Sequence, residues 1–202
     1  MAVALLAALV VPDFALASQP SVPSAPAVAV KEEAAAGKRE EAAPTRYGMS
    51  VEFANTYDPS TDISFVLATG FALFDYGALW HQKRPKELRF KVEAAAGSRV
   101  RPQSGAVASI GMLALYYLDS IAGRQVRPYF EAGIGAIYTD FRVAGQGLRF
   151  NFNPQLGIGA ELQQENGTSL FAALRLHHLS NGEFYRENRG VNSLVLQVGR
   201  FF

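Results

Sequence analysis

The sequence contains no cysteine, which excludes a disulfide framework and a thiolate zinc site. It also lacks any uniformly apolar run of about eighteen residues, although 49% of the chain is hydrophobic; this argues against a membrane-spanning helix. An excess of one charge is missing too. With 19 Lys+Arg against 18 Asp+Glu the net charge is +1, and nothing points to a nucleic-acid partner. No cluster of His, Asp and Glu has metal-ligand spacing, so neither a metal nor another cofactor is expected.

What is present changes along the chain. The opening MAVALLAALVVPDFALASQP is apolar from Ala2 to Val11, breaks at Pro-Asp, and reaches Ala15-Leu16-Ala17, an A-x-A pattern. It predicts a signal peptide over 1–17, although the basic n-region of such a peptide is missing. A short buried helix is the competing reading. Residues 18–45 are rich in Ala, Pro, Glu and Lys, with no aromatic residue and no packing period, and read as a disordered linker.

From about residue 46 to residue 202 aromatics and glycines appear and the period becomes two. In LRFKVEAAAG, Leu88, Phe90, Val92, Ala94 and Ala96 share one face, and Arg89, Lys91, Glu93 and Ala95 the other. VRPYFEAGIGAIY and QLGIGAELQ alternate in the same way, which marks strands with one apolar and one polar face. Eight such segments are expected, at about 46–57, 62–76, 87–99, 106–118, 125–140, 148–164, 168–180 and 191–202. Several are long enough for the roughly nine to eleven residues that a membrane-spanning strand needs. Asn166-Gly167 is a hairpin signal, and Asp119–Gly123 reads as a short turn. The Asn166-Gly167-Thr168 sequon is taken as that turn, and the basic stretch His81, Lys83, Arg84 and Lys86 as a solvated connection.

These segments predict an all-β fold: an eight-stranded antiparallel up-and-down transmembrane barrel of the outer membrane. Its apolar face meets lipid, and its lumen holds charges of both signs beside glycines. Arg89, Lys91, Glu93, Arg127, Glu131, Glu161 and Arg175 are the expected lumen network. Eight strands leave an interior that side chains just fill, so a channel is not expected. The last strand sets Leu194, Leu196, Val198 and Phe202 on one face, interrupted by Arg200. A terminal aromatic of this kind resembles the signal read by the outer-membrane assembly machinery. A soluble lipocalin-like barrel is the alternative. With both termini periplasmic, residues 181–190 form an extracellular hairpin.

The stretch LRLHHLSNG, Leu174 to Gly182, is the least ordinary. On a strand, Leu174, Leu176, His178 and Ser180 face lipid, while Arg175 and His177 face the lumen. An imidazole and a hydroxyl on a hydrocarbon face cost free energy unless they find partners, and polar groups at membrane depth point to function. A bland interfacial contact with lipid headgroups is the alternative. If the hairpin pairs residue 180 with about 190, Asn192 stands opposite His178 with the outward parity of Leu194. A Ser–His–Asn row then lies on the outer wall, where histidine takes the serine proton and the third group sets its tautomer.

The motif HHLSNG…NRGVN, His177 to Asn192, resembles the C-terminal signature of the PagL-type lipid A 3-O-deacylases: H-x-S-N, a glycine-containing hairpin, and a third residue fourteen positions after the histidine. RPYFEAGIGAIYTDF and FNFNPQLGIGAEL also resemble strands of that family. The resemblance implies an esterase of the outer membrane, its site facing the outer leaflet, that removes the 3-O-linked acyl chain of lipid A in lipopolysaccharide. It implies Ser180 as nucleophile, His178 as base, Asn181 in the oxyanion hole with the Gly182 N–H as a second donor, and Asn192 as third member. The best-known members carry glutamate at that third position. Reduced activity, a substitute carboxylate from Glu183 or Glu187, or a catalytically degenerate structural barrel all stay open. So does a homodimer.

Overall fold

Alternation over eleven to fourteen residues extends the chain into eight strands: β1 (Arg46–Asp58), β2 (Ser64–Asp75), β3 (Leu88–Arg101), β4 (Gly105–Tyr117), β5 (Val126–Thr139), β6 (Phe150–Gln163), β7 (Ser169–Leu179) and β8 (Val191–Phe201). They come from a computed structural model that describes residues 42–60, 62–80, 84–165 and 167–202. Each strand pairs antiparallel with the next, and β8 returns to β1, closing the barrel. Closure leaves no sheet edge, so the backbone of the wall is satisfied without water. The expected signal peptide and all of the linker before residue 42 lie outside the described residues, as do Asn166, His81 and Lys83.

The outer wall is apolar. Met49, Val51, Phe53, Val92, Ile110, Met112, Ile134, Leu156, Ile158, Leu176, Leu196 and Val198 all point away from the barrel. Monomeric soluble proteins rarely expose so continuous an apolar surface, and one of this kind marks a membrane or protein contact. Exposed aromatics ring both ends: Tyr47, Trp80 and Phe202 at one, Tyr57, Tyr138 and Phe150 at the other. That is the pattern of a barrel seated in a bilayer, with its aromatics at the two interfaces.

The lumen is layered rather than polar throughout. At its middle, Arg175 donates from Nε to Glu131 (2.6 Å) and from Nη1 and Nη2 to the two oxygens of Glu93 (2.9 and 3.1 Å). Lys91 Nζ donates to Glu131 at 2.6 Å, and Glu52 accepts from Thr69 and Gln197. Gly157 admits this cluster, since a Cβ there would lie 2.8 Å from Arg175 Cγ. Above the belt sits an apolar plug containing Phe65, Leu67, Val107, Ile137, Leu179, Val191 and Val195. Below it sits a second, with Phe71, Leu73, Leu115, Tyr129, Phe171 and Phe201. Among the described residues, side chains of these layers pack the interior that eight strands enclose.

Several details differ from expectation. Glu52 belongs to the belt. Glu161 instead binds Arg46 and the Tyr117 hydroxyl near the end where β1 begins. Arg127 pairs with Asp119 at 2.6 Å, at the edge of the lumen, and Arg89 donates to the carbonyls of Lys86 and Leu88. Both lie too close to a strand end to reach the belt. The β2–β3 connection carries a short helix, α1 (Tyr76–Trp80), whose Ala78 N–H donates to Asp75 Oδ1 at 2.9 Å. Arg84 is not merely solvated, because it forms an ion pair with Asp75. The expected turn at Asp119 is one turn of 3-10 helix, Asp119–Ile121.

Candidate active site

Strand β7 alternates strictly up to its end. Arg175, His177 and Leu179 are buried inside, while Leu174, Leu176 and His178 stand on the outer wall. The β7–β8 register places His178 opposite Asn192 and His177 opposite Ser193. His178 Nδ1 lies 2.6 Å from Asn192 Oδ1, so two of the expected site residues meet on the outer surface. A carbonyl oxygen only accepts, so Nδ1 is the donor in this pair and Nε2 is left outside it.

Gly190 makes room for this ring. A Cβ at residue 190 would lie 2.7 Å from His178 Cε1 and 3.4 Å from Nε2. The imidazole therefore lies over the glycine backbone, and no larger residue fits without moving it.

Ser180 follows two residues after His178, past the end of β7. Its backbone is held by a bridge to Phe152, with Phe152 N–H donating to Ser180 O (2.8 Å) and Ser180 N–H to Phe152 O (3.1 Å). The Ser180 hydroxyl makes no hydrogen bond to any described residue. The structure thus joins His178 to Asn192 and leaves the serine on an anchored backbone beside them.

Asn181 turns inward and is 2% exposed. Its N–H donates to Asn188 Oδ1 (2.7 Å) and its Nδ2 to the Glu187 carbonyl (2.9 Å). These two bonds tie Asn181 to the far side of the hairpin. The chain then turns on two left-handed residues, Gly182 (φ 63°) and Glu183 (φ 67°), with Phe184 N–H donating to Asn181 O at 3.2 Å. Positive φ at both central residues suits glycine at the first and strains glutamate at the second. The Gly182 N–H has no acceptor among the described residues. Gly147 N–H to Glu187 O (2.8 Å) and Arg189 N–H to Gly145 O (2.7 Å) pin the hairpin to the β5–β6 connection.

Neither Glu183 nor Glu187 brings its carboxylate to the histidine or to Asn192. The carboxylate that does reach the row belongs to Asp58, at the end of β1: Asn192 Nδ2 donates to Asp58 Oδ2 at 2.9 Å. Arg189 pairs with the other oxygen, Oδ1. Strict alternation along β1 directs residue 58 into the lumen, so nothing local in the sequence marks Asp58 as part of the row. A register shift between Thr56 and Asp58 pairs Thr56 with Ser193 and Asp58 with Asn192, leaving Tyr57 as the extra residue. The bulge turns Asp58 outward. The one available signal was topological: in a closed up-and-down barrel, the end of the first strand must lie beside the start of the last.

His177, by contrast, is 3% exposed, and its Nδ1 is 3.4 Å from Asn153 Nδ2 in the lumen. It has no path to the outer row. Among the described residues no group of three or more His, Asp or Glu side chains is arranged to hold a metal.

The family model described as "Lipid A 3-O-deacylase (PagL)" matches residues 63–200. The chain belongs to the PagL family. It is 36% identical over 81 residues to the lipid A deacylase PagL of Pseudomonas aeruginosa, a match covering 40% of this chain and 46% of that protein. The chain thus spans less than half the length of this curated relative. Neisserial surface protein A superposes with a TM-score of 0.60 at 17% identity, covering 80% of this chain and 98% of that one, and shows a shared barrel fold. The crystal structure of the outer membrane enzyme PagL aligns with a TM-score of 0.49 at 24% identity, over 75% of this chain and 97% of that one. The PagL-family chain described here is an outer-membrane β-barrel.

Proposed function

We propose that this barrel is a serine esterase that removes the 3-O-linked acyl chain of lipid A. The observation that carries the reading is the His178–Asn192 hydrogen bond on the outer wall, beside an anchored Ser180. Nδ1 is occupied, so Nε2 is the atom left to accept the Ser180 proton. Ser180 Oγ then attacks the ester carbonyl, and the sugar 3-oxygen departs with that proton. Water, deprotonated by the same nitrogen, hydrolyses the acyl-serine and releases a hydroxy fatty acid. The Ser180–Nε2 contact closes when substrate binds, a common behaviour of catalytic hydrogen bonds. In this reading the Gly182 N–H serves as an oxyanion donor, and Asn181 holds the turn before it.

The location suits the substrate. The row lies at the end of the barrel wall that carries the β1–β2, β3–β4, β5–β6 and β7–β8 connections, level with the Tyr57, Tyr138 and Phe150 girdle. At that height in the outer leaflet, lipid A places its esters between headgroup and acyl tails, so the site meets the bond without extracting the lipid. An amide at residue 192 orients the ring without giving it a counter-charge, and turnover below that of a carboxylate-bearing triad is expected.

The test is to incubate the purified barrel with lipopolysaccharide and weigh the lipid A. Loss of one hydroxyacyl mass supports the reading; unchanged lipid A defeats it and favours a barrel without catalysis. Gly190→Ala, which forces a Cβ against His178 Cε1, is expected to lower kcat by about ten- to a hundredfold, since misplacing a reacting group by about 1 Å has that cost. A rate within twofold of the parent would show that the ring needs no such clearance.

A further inference from the structure

We propose that Asp58 is a positioning residue for this reaction. Through Asn192 it fixes the Nδ1–H tautomer of His178, and it restores, one residue removed, the carboxylate that position 192 lacks. The proposal rests on the serine-esterase reading of the same site.

The weakness of asparagine as a third member is its symmetry. An amide presents an acceptor on one side and a donor on the other, and the two are nearly equal in shape. With Oδ1 toward His178, Nδ1 is protonated and Nε2 is a base. With Nδ2 toward His178, the ring must accept at Nδ1, and Nε2 becomes a donor that cannot take a serine proton. Nothing within a His–Asn pair alone chooses between these states.

Asp58 makes the choice. An ionised carboxylate only accepts, so the Asn192 group bonded to Asp58 Oδ2 at 2.9 Å is Nδ2, and Oδ1 is left facing Nδ1 at 2.6 Å. The three residues come from three neighbouring strands, β7, β8 and β1, across the seam where the barrel closes. Asp58 reaches the outer surface only because of the bulge at Tyr57. Its negative charge also lies beside the amide that polarises toward the imidazolium formed during turnover. Arg189 ties the hairpin to the other oxygen of Asp58, on the far side from Asn192.

A carboxylate at 192 would duplicate this charge. Asn192→Glu sets two acids against each other at the seam, and the strain is relieved when Asp58 is neutralised. The effects of the two residues are therefore expected to be coupled rather than additive.

Five variants test this, with deacylation kinetics and ¹⁵N NMR of the His178 ring. Asp58→Asn is expected to lower kcat by about ten- to a hundredfold, as misplacing a reacting group by about 1 Å does, with KM within about twofold. Its ring nitrogens shift from a single Nδ1–H tautomer toward a mixture. Asp58→Glu, which keeps the acceptor, retains the tautomer and most of the rate. Asp58→Asn combined with Asn192→Glu is faster than Asn192→Glu alone. Arg189→Gln, which breaks only the tether, costs far less than Asp58→Asn. A parent-like rate and a single tautomer in Asp58→Asn overturn the proposal. So does an Arg189→Gln loss as large as that of Asp58→Asn, because Asp58 would then be a structural tether. If the parent protein does not deacylate lipid A, the esterase reading fails, while the NMR tautomer still reports whether Asp58 orients the ring.

Discussion

Ser180→Ala is expected to leave lipid A intact under conditions in which the parent protein removes an acyl chain. Removing a serine nucleophile from a triad costs about 10⁶ in kcat in the best-studied case, and removing the histidine as well costs little more, because the members act as a unit. The same non-additivity is the diagnostic here. Ser180→Ala, His178→Ala and the double variant should be equally inactive, measured as released hydroxy fatty acid by mass spectrometry. The substitution removes one hydroxyl from a residue whose backbone is held by the bridge to Phe152, so the barrel itself should fold as before. Residual activity in Ser180→Ala close to the parent would mean that another group attacks the ester.

The second large effect concerns stability. Arg175 is 0% exposed and holds Glu93 and Glu131 together at the centre of the lumen. Arg175→Met keeps much of the volume but leaves three acids, Glu52, Glu93 and Glu131, facing Lys91 alone. Breaking a buried ion pair from one side typically costs about 3–5 kcal/mol, since the abandoned charge has no water to return to. Urea unfolding in lipid vesicles, followed by far-ultraviolet circular dichroism, should show a lower midpoint at unchanged slope. Adding Glu93→Gln and Glu131→Gln to the same chain should recover part of the loss, because neutral amides tolerate the site better than unpaired carboxylates. A midpoint unaltered by Arg175→Met would show that water penetrates the belt.

Much of the wall could be read from the chain. The ends of the eight strands fall within a few residues of where alternation stops, because a membrane-spanning strand must keep one face apolar over its whole length. The same constraint put His178 on the outside and Arg175, three residues before it, on the inside. Hairpin arithmetic across residues 180–190 brought Asn192 opposite His178, since pairing in a β-hairpin is local. The lumen was harder. Phe65, Leu67, Leu113 and Leu115 are inward-facing apolar residues, and neighbours of the same period on the outer face mask them. Whether an apolar side chain meets lipid or plugs a barrel is decided by which strands stand across the interior, and that is a long-range fact.

From sequence alone came the period-two pattern, the outward polar row at His178 and Ser180, and the family signature around it. Tertiary structure alone decided that Asp58 belongs to that row. One extra residue at Tyr57 reverses the facing of Asp58, and closure of β1 against β8 joins positions 134 residues apart. Local alternation carries no record of a bulge, and the bond between Asn192 and Asp58 exists only once the barrel has closed.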